Sequence, residues 1–92
     1  MDNERLYIGA VARGEDRRND VVVDEETRRI SKYHCYVLRR DGKYFVVDQN
    51  SANGTYLNGV RIPSGVEVPL RNGDRIDLAR VCMMEFKLAR AS

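Results

Sequence analysis

The placement of turn residues is the feature that most restricts the folds open to this 92-residue chain. Asp41-Gly42 and Asn58-Gly59 each separate two short apolar runs, as two-residue hairpin turns with positive φ angles require. Asn72-Gly73 marks a third reversal. Because no segment resembles the long crossover helices of a parallel sheet, the pattern predicts antiparallel β-sheet.

The runs between these turns are rich in Val, Ile, Leu, Tyr and Phe, which is typical of strands. The predicted strands are Leu6–Val11, Asp20–Val23, His34–Arg39, Lys43–Asp48, Thr55–Leu57, Val60–Ile62, Val66–Leu70, Arg75–Leu78 and Cys82–Leu88. Arg80–Ala91 also contains tolerable helix formers, but strand is favoured there. Polar Ala12–Asp20 is predicted to be an exposed loop. We therefore expect one all-β domain over residues 1–92, a sandwich or a barrel with little or no helix.

Composition and charge argue against several classes of protein. Sixteen Lys and Arg residues against fourteen Asp and Glu residues are too even a balance to attract duplex DNA strongly. No window approaches a membrane span, and Met1–Arg5 lacks the apolar core of a signal peptide. Cys35 and Cys82 stand apart, without the spacing of a disulfide or zinc framework. We expect a cytoplasmic protein with no membrane partner, no metal and no cofactor.

Catalysis is not expected either. The only histidine, His34, has Cys35 as its immediate neighbour. Adjacent side chains on a strand point to opposite faces, so these two residues cannot form a nucleophile and base pair.

Two polar segments flank the first predicted hairpin. Ser31-Lys32-Tyr33-His34 precedes its first strand, and the segment from Ser51 to Gly59 follows its second strand. Antiparallel strands joined by a tight turn place their far ends side by side, so Ser31 and Asn53 should be neighbours. A hydroxyl, a lysine and an amide beside loop N–H groups would form a seat for a small anion. The binding surface is therefore predicted between Ser31 and Gly59.

Five short motifs occur along the chain in a fixed order. They are Gly9 after Leu6-Tyr7-Ile8, Ser31-x-x-His34, Ser51-x-Asn53-Gly54-Thr55, Asn58-Gly59, and Val68-x-Leu70-x-x-Gly73-Asp74-x-Ile76. Together they resemble the forkhead-associated (FHA) domain, a β-sandwich that recognises phosphothreonine peptides through loops at one end. The resemblance covers most of the chain. It implies an antiparallel sandwich and a non-catalytic module whose partner is a threonine-phosphorylated protein.

The resemblance also implies a role for each matching residue. Ser31 would donate its hydroxyl to the phosphate, and Lys32 would offer its backbone N–H and its ammonium group. Asn53, with Ala52 beside it, would contact the peptide main chain. The residues that would brace the binding loops are His34, Gly54, Thr55, Asn58 and Gly59.

The sequence departs from the family pattern in three respects. Ala10 follows Gly9 where the family places a phosphate-gripping arginine, so Arg13 is predicted as a substitute, with Arg17 and Arg18 as alternatives. Ala52 stands where the family often has a hydroxyl or a basic side chain. The family also begins at least one strand further upstream. We therefore expect a trimmed fragment or a shortened variant, whose exposed sheet edge would allow self-association.

Two other functions remain open. Ala10 and Ala52 are compatible with a degenerate FHA-like domain that binds a protein partner independently of phosphate. A less favoured alternative is a small nucleic-acid-binding barrel with a base-stacking platform of aromatic rings. Its candidate rings are Tyr33, Tyr36, Tyr44, Tyr56 and Phe45.

Overall fold

A computed structural model describes residues 4–10, 19–23 and 28–88 of the chain. The strands in these residues are β1 (Glu4–Gly9), β2 (Val21–Val22), β3 (Cys35–Arg40), β4 (Lys43–Asp48), β5 (Thr55–Leu57), β6 (Val60–Arg61), β7 (Val68–Leu70), β8 (Arg75–Leu78) and β9 (Cys82–Glu85). Each predicted run thus overlaps a strand, including the last, where strand was favoured over helix. The described residues include no helix that could cross a membrane.

The strands form two sheets. One sheet has five strands in the order β2-β1-β3-β4-β7, and the other has four in the order β6-β5-β8-β9. The prediction of an all-β sandwich is therefore confirmed, and the barrel alternative is wrong. Buried residues from both sheets form one central cluster between them. The buried apolar members of this cluster are Ile8, Ile30, Cys35, Val37, Val46, Ile62, Leu70, Ile76, Leu78 and Ala79.

Both predicted two-residue hairpins are present. Asp41 and Gly42 have φ angles of 52° and 74° and join β3 to β4. Asn58 and Gly59 have φ angles of 49° and 87° and join β5 to β6. Positive φ at both central positions is the type I′ signature, and it matches the twist of the flanking strands.

Three features of the topology differ from the simple antiparallel pattern. β1 and β2 run parallel, with Ile8 opposite Val21. The reversal at Asn72-Gly73 carries the chain from one sheet to the other. The hairpin between β8 and β9 contains no glycine and was not predicted. Its residues Ala79 and Arg80 have φ angles of 56° and 61°.

The outer face of the five-stranded sheet carries a second, smaller apolar layer. Leu38 and Val47 alternate with the core-facing residues of β3 and β4, yet they are only 2% and 3% exposed. The rings of Phe45 and Tyr36 lie opposite them in the register. Two arginine guanidinium groups cover these rings, Arg5 at 4.8 Å above Tyr36 and Arg40 at 5.1 Å above Phe45.

The five aromatic rings considered as a base-stacking platform do not share one face. Tyr36 and Phe45 lie on the outer face of the five-stranded sheet, whereas Tyr44 packs against the central cluster. Tyr56 belongs to the other sheet, and Tyr33 lies in the loop before β3. That platform is therefore wrong, because strand alternation and sheet order separate rings that are close in sequence.

Candidate functional site

Two loops meet where β3 begins and β4 ends. We call residues 28–34 the first loop and residues 49–54 the second loop. The Ala52 N–H donates to Ser31 Oγ at 3.0 Å, and Asn53 Nδ2 donates to the Arg29 carbonyl at 2.8 Å. The backbone N–H of Gln49 donates to the carbonyl of His34 at 2.9 Å. The predicted proximity of Ser31 and Asn53 is therefore confirmed.

Ser31 lies half-buried at the junction of the two loops. Its Oγ accepts the Ala52 N–H, so the hydroxyl proton can still be donated outward to an anion. Its carbonyl accepts the Ala10 N–H at 3.1 Å, which fixes the end of β1 beside it. Lys32 follows with an exposed side chain. A donor hydroxyl and an ammonium group therefore lie on the same loop.

His34 braces both loops from inside. The side chain is fully buried; Nδ1 accepts the Ser31 N–H at 3.1 Å, and Nε2 lies 2.8 Å from the Gly54 carbonyl. Because a carbonyl only accepts, Nε2 carries the proton and the ring is neutral. Burial lowers the pKa of His34, which favours the same neutral form. The histidine thus connects the first loop to the second without facing solvent.

Asp48 organises the second loop, and the sequence patterns do not single it out. Its Oδ1 accepts the hydroxyls of Ser51 at 2.5 Å and Thr55 at 2.6 Å, and its Oδ2 accepts the Ser51 N–H at 3.1 Å. Ser51 Oγ in turn accepts the Gly54 N–H at 3.1 Å. Burial alone would raise the pKa of Asp48, but the hydrogen bonds from Ser51 and Thr55 hold it below its usual range. A buried carboxylate thus fixes the loop.

Gly9 permits a close approach between β1 and the first loop. A Cβ on this residue would overlap the carbonyl oxygen of Lys32. Asn19 reinforces the contact, since its Nδ2 donates to the carbonyls of Lys32 at 2.6 Å and Ala10 at 3.1 Å. Asn19 was not among the predicted site residues. Nothing in the sequence of this long polar stretch indicates that the Asn19 side chain contacts the first loop.

The position that carries arginine in the family pattern adjoins the site but offers no charge. Ala10 donates its N–H to Ser31, and its side chain packs against the central cluster. The predicted substitutes Arg13, Arg17 and Arg18 lie outside the described residues. Ala52 is exposed, and its contribution is the backbone N–H that Ser31 accepts.

The predicted bracing residues divide into two groups. Gly54 and Thr55 are buried in the second loop and at the start of β5, beside His34 and Asp48. The structure does not bring Asn58 and Gly59 to this cluster, because they lie beyond the other end of β5. There the Asn58 side chain bonds Asp74 at 3.0 Å and accepts the Arg75 N–H at 2.9 Å.

His34 and Cys35 are not arranged for catalysis. Both ring nitrogens of His34 are engaged by Ser31 and Gly54. Burial raises the pKa of the Cys35 thiol to about 12, which keeps it protonated near neutral pH. Within residues 4–10, 19–23 and 28–88, no group of three metal-ligating side chains converges. The site therefore offers hydrogen-bond donors and positive charge.

Two facing sheets with a pair of braced polar loops at one end have the architecture of a β-sandwich recognition module. The model of the FHA domain family matches residues 11–79, and the chain belongs to this family. FHA domains are binding modules.

Known proteins with similar sequences and structures support this assignment. The oxoglutarate dehydrogenase inhibitor of Corynebacterium diphtheriae is 35% identical over 78 residues, which are 85% of this chain and 51% of that protein. Full-length yeast Pml1p superposes with a TM-score of 0.71 and 35% identity, covering 80% of this chain and 53% of that one. The N-terminal FHA domain of Saccharomyces cerevisiae Rad53p, in complex with a phosphothreonine peptide, superposes with a TM-score of 0.67 and 26% identity, covering 82% and 56%. The chain spans about half the length of each.

Proposed function

We propose that this chain recognises phosphothreonine in a partner protein, with Ser31 and Lys32 at the phosphate and Asn53 at the peptide main chain. The observation that carries the proposal is the contact between Ser31 Oγ and the Ala52 N–H, which joins the two loops into one surface. The similar Rad53p domain was solved with a phosphothreonine peptide. That likeness supports the same class of ligand here.

The chemistry of the loops suits a phosphorylated residue. A phosphate monoester carries a charge of about −1.5 to −2 near neutral pH and has three strong acceptor oxygens. The Ser31 hydroxyl can donate to one oxygen, while the exposed Lys32 ammonium supplies positive charge. Asn53 Oδ1 accepts no hydrogen bond from the rest of the described chain, so it can accept a peptide N–H.

Calorimetry with phosphothreonine peptides and their unphosphorylated twins tests the proposal. We expect binding of the phosphorylated peptides only. Ser31→Ala should weaken it by about tenfold or more, since a hydrogen bond to a charged group contributes about 1.5 to 3 kcal/mol. Lys43→Ala, at an exposed residue beside the β3–β4 turn at the opposite end of the sandwich, is the control and should bind as wild type. Equal binding of both peptides would contradict the proposal.

A second candidate is phosphate-independent binding of a protein partner. It is favoured by Ala10, whose methyl group packs on the core where the family pattern has a charged side chain. A partner bound equally by wild type and Ser31→Ala, with or without phosphatase treatment, would support this function over the first.

A further inference from the structure

The guanidinium group of Arg61 lies directly against the second loop. Arg61 is on β6 and pairs with Tyr56 of β5. A Cβ built on Gly54 would lie 2.8 Å from Arg61 Nε and 3.0 Å from its Cζ. The side chain is exposed and also lines an open pocket with Asn50, Ser51 and Ser64. Arg61 therefore borders the proposed binding site from the four-stranded sheet.

A second arginine reaches the same region from the β8–β9 hairpin. The Ala79 N–H donates to the Gly54 carbonyl at 2.9 Å, which holds this hairpin against the second loop. The next residue, Arg80, is exposed and lies 4.8 Å above the ring of Tyr56. Since Tyr56 pairs with Arg61 across the strands, both guanidinium groups border one face of the sheet next to Gly54.

Among the residues that the structure describes, no ion pair compensates the charges of these two arginines. Arg39 and Arg40 at the other end of the sandwich form ion pairs of 3.0 Å and 2.6 Å with Glu4 and Glu67. Arg61 and Arg80 have no ion pair with any other described residue.

Few acidic groups of the described segments lie near this face. Asp48 lines the same pocket as Arg61, but its carboxylate is buried and committed to Ser51 and Thr55. Asp77 lies opposite Tyr56 on β8. Its carboxylate is therefore on the same face of the four-stranded sheet as the Tyr56 ring. The described side chains at this level thus include one exposed-face carboxylate and two guanidinium groups, which gives them a net positive charge.

We propose that Arg61 and Arg80 extend the binding site onto the four-stranded sheet and select phosphothreonine segments that carry acidic side chains near the phosphorylated residue. The inference rests on the proposed function, because Gly54, against which Arg61 packs, follows Asn53 in the loop that would hold the peptide. Acidic side chains are the occupants that match in charge two guanidinium groups without an ion pair among the described residues.

The test compares pairs of phosphothreonine peptides of equal length by fluorescence anisotropy. One member of each pair has Asp or Glu at a single position on either side of the phosphothreonine, and the other has Asn or Gln there. We expect at least one acidic position to increase wild-type affinity by about two- to fivefold, the range of exposed ion pairs. Arg61→Gln and Arg80→Gln should each reduce this preference, and the double variant should abolish it.

Two variants separate charge from packing. Arg61→Lys keeps the charge and loses the plane that covers Gly54, so it should retain the acidic preference. Arg71→Gln removes an exposed arginine after β7, at the opposite end of the sandwich, and should bind every peptide as wild type. Loss of the preference in Arg71→Gln, or its persistence in the double variant, would overturn the inference.

The phosphothreonine peptides with Asn or Gln, called the neutral peptides, show whether the arginine surface or the proposed function has failed. If the neutral phosphothreonine peptide binds and acidic neighbours have no effect at any position, the arginine surface is wrong while phosphothreonine recognition stands. If phosphorylated and unphosphorylated peptides bind alike, the proposed function fails. An acidic preference sensitive to Arg61 and Arg80 in the unphosphorylated peptides would then still support the surface itself.

Discussion

His34 Nε2 lies 2.8 Å from the carbonyl oxygen of Gly54, a residue twenty positions further along the chain. The ring is buried and neutral, and its pKa in the folded protein is lowered by burial. In the unfolded chain the pKa returns to about 6.5. Between that value and the lower folded pKa, the unfolded state binds more protons than the folded state, so acidification destabilises the fold.

Stability should therefore fall as the pH decreases from 7 to 5.5, by at most about 1.4 kcal/mol per pH unit. Urea unfolding across this range measures the slope, and NMR follows the one histidine of the chain directly. His34→Gln cannot titrate and should show a flatter profile. A stability that rises on acidification would contradict a neutral buried ring.

Asp48→Asn should destabilise the protein by about 2 to 3 kcal/mol. The buried Asp48 carboxylate accepts three hydrogen bonds, whereas the NH2 group of an asparagine can only donate, so at least one of these bonds would be lost. Chemical denaturation gives the magnitude. Asp41→Asn, at an exposed turn position, is the matched control and should change the free energy of unfolding by less than about 0.5 kcal/mol. Similar effects at both positions would argue against the role of Asp48.

Gly9→Ala should cost more than about 2 kcal/mol, because the new methyl group would overlap the Lys32 carbonyl, a backbone atom that cannot rotate away. Gly42→Ala provides the comparison. That glycine has a φ of 74°, but a methyl group there would meet no atom within 4 Å, so only the left-handed conformation is penalised, by about 1 kcal/mol. Chemical denaturation of both variants measures the difference. A smaller loss at Gly9 than at Gly42 would exclude the close approach.

Ala10→Arg should strengthen phosphothreonine-peptide binding by about tenfold, because it restores a charge-assisted contact where the family pattern places one. The Ala10 backbone lies beside Ser31, and its methyl group is only partly buried at the edge of the core, so a longer side chain has room to extend toward the loops. Calorimetry against Ala10→Gln separates charge from length. An arginine variant no tighter than the glutamine variant would show that residue 10 does not face the phosphate.

The strand pattern could be predicted from sequence because local chemistry determines it. Asp41-Gly42 and Asn58-Gly59 adopt the positive φ angles that their turns require. The hairpin at Ala79-Arg80 could not be predicted, since neither residue favours positive φ and its conformation is imposed by the paired strands. The parallel pairing of β1 with β2 likewise depends on sheet assembly and has no local signal.

Part of the site could also be predicted from sequence, because local hairpin geometry determines it. Ser31 and Asn53 come together because they flank a two-residue hairpin, a relationship that can be derived from sequence. The role of Asp48 depends on which face of β4 is buried beneath the second loop, and Arg61 reaches Gly54 only because β6 folds back along β5. Such contacts depend on the assembled sheets.

The apolar layer on the outer face of the five-stranded sheet has a consequence for how the domain opens. Leu38 and Val47 are shielded there while the opposite faces of their strands contact the central cluster. β3 and β4 are thus protected on both sides, and their backbone amides should exchange with solvent only through global unfolding. The two proposed binding loops begin and end at these strands, whereas the two-residue strand β2 lies at the edge of the sheet and should exchange its amides first.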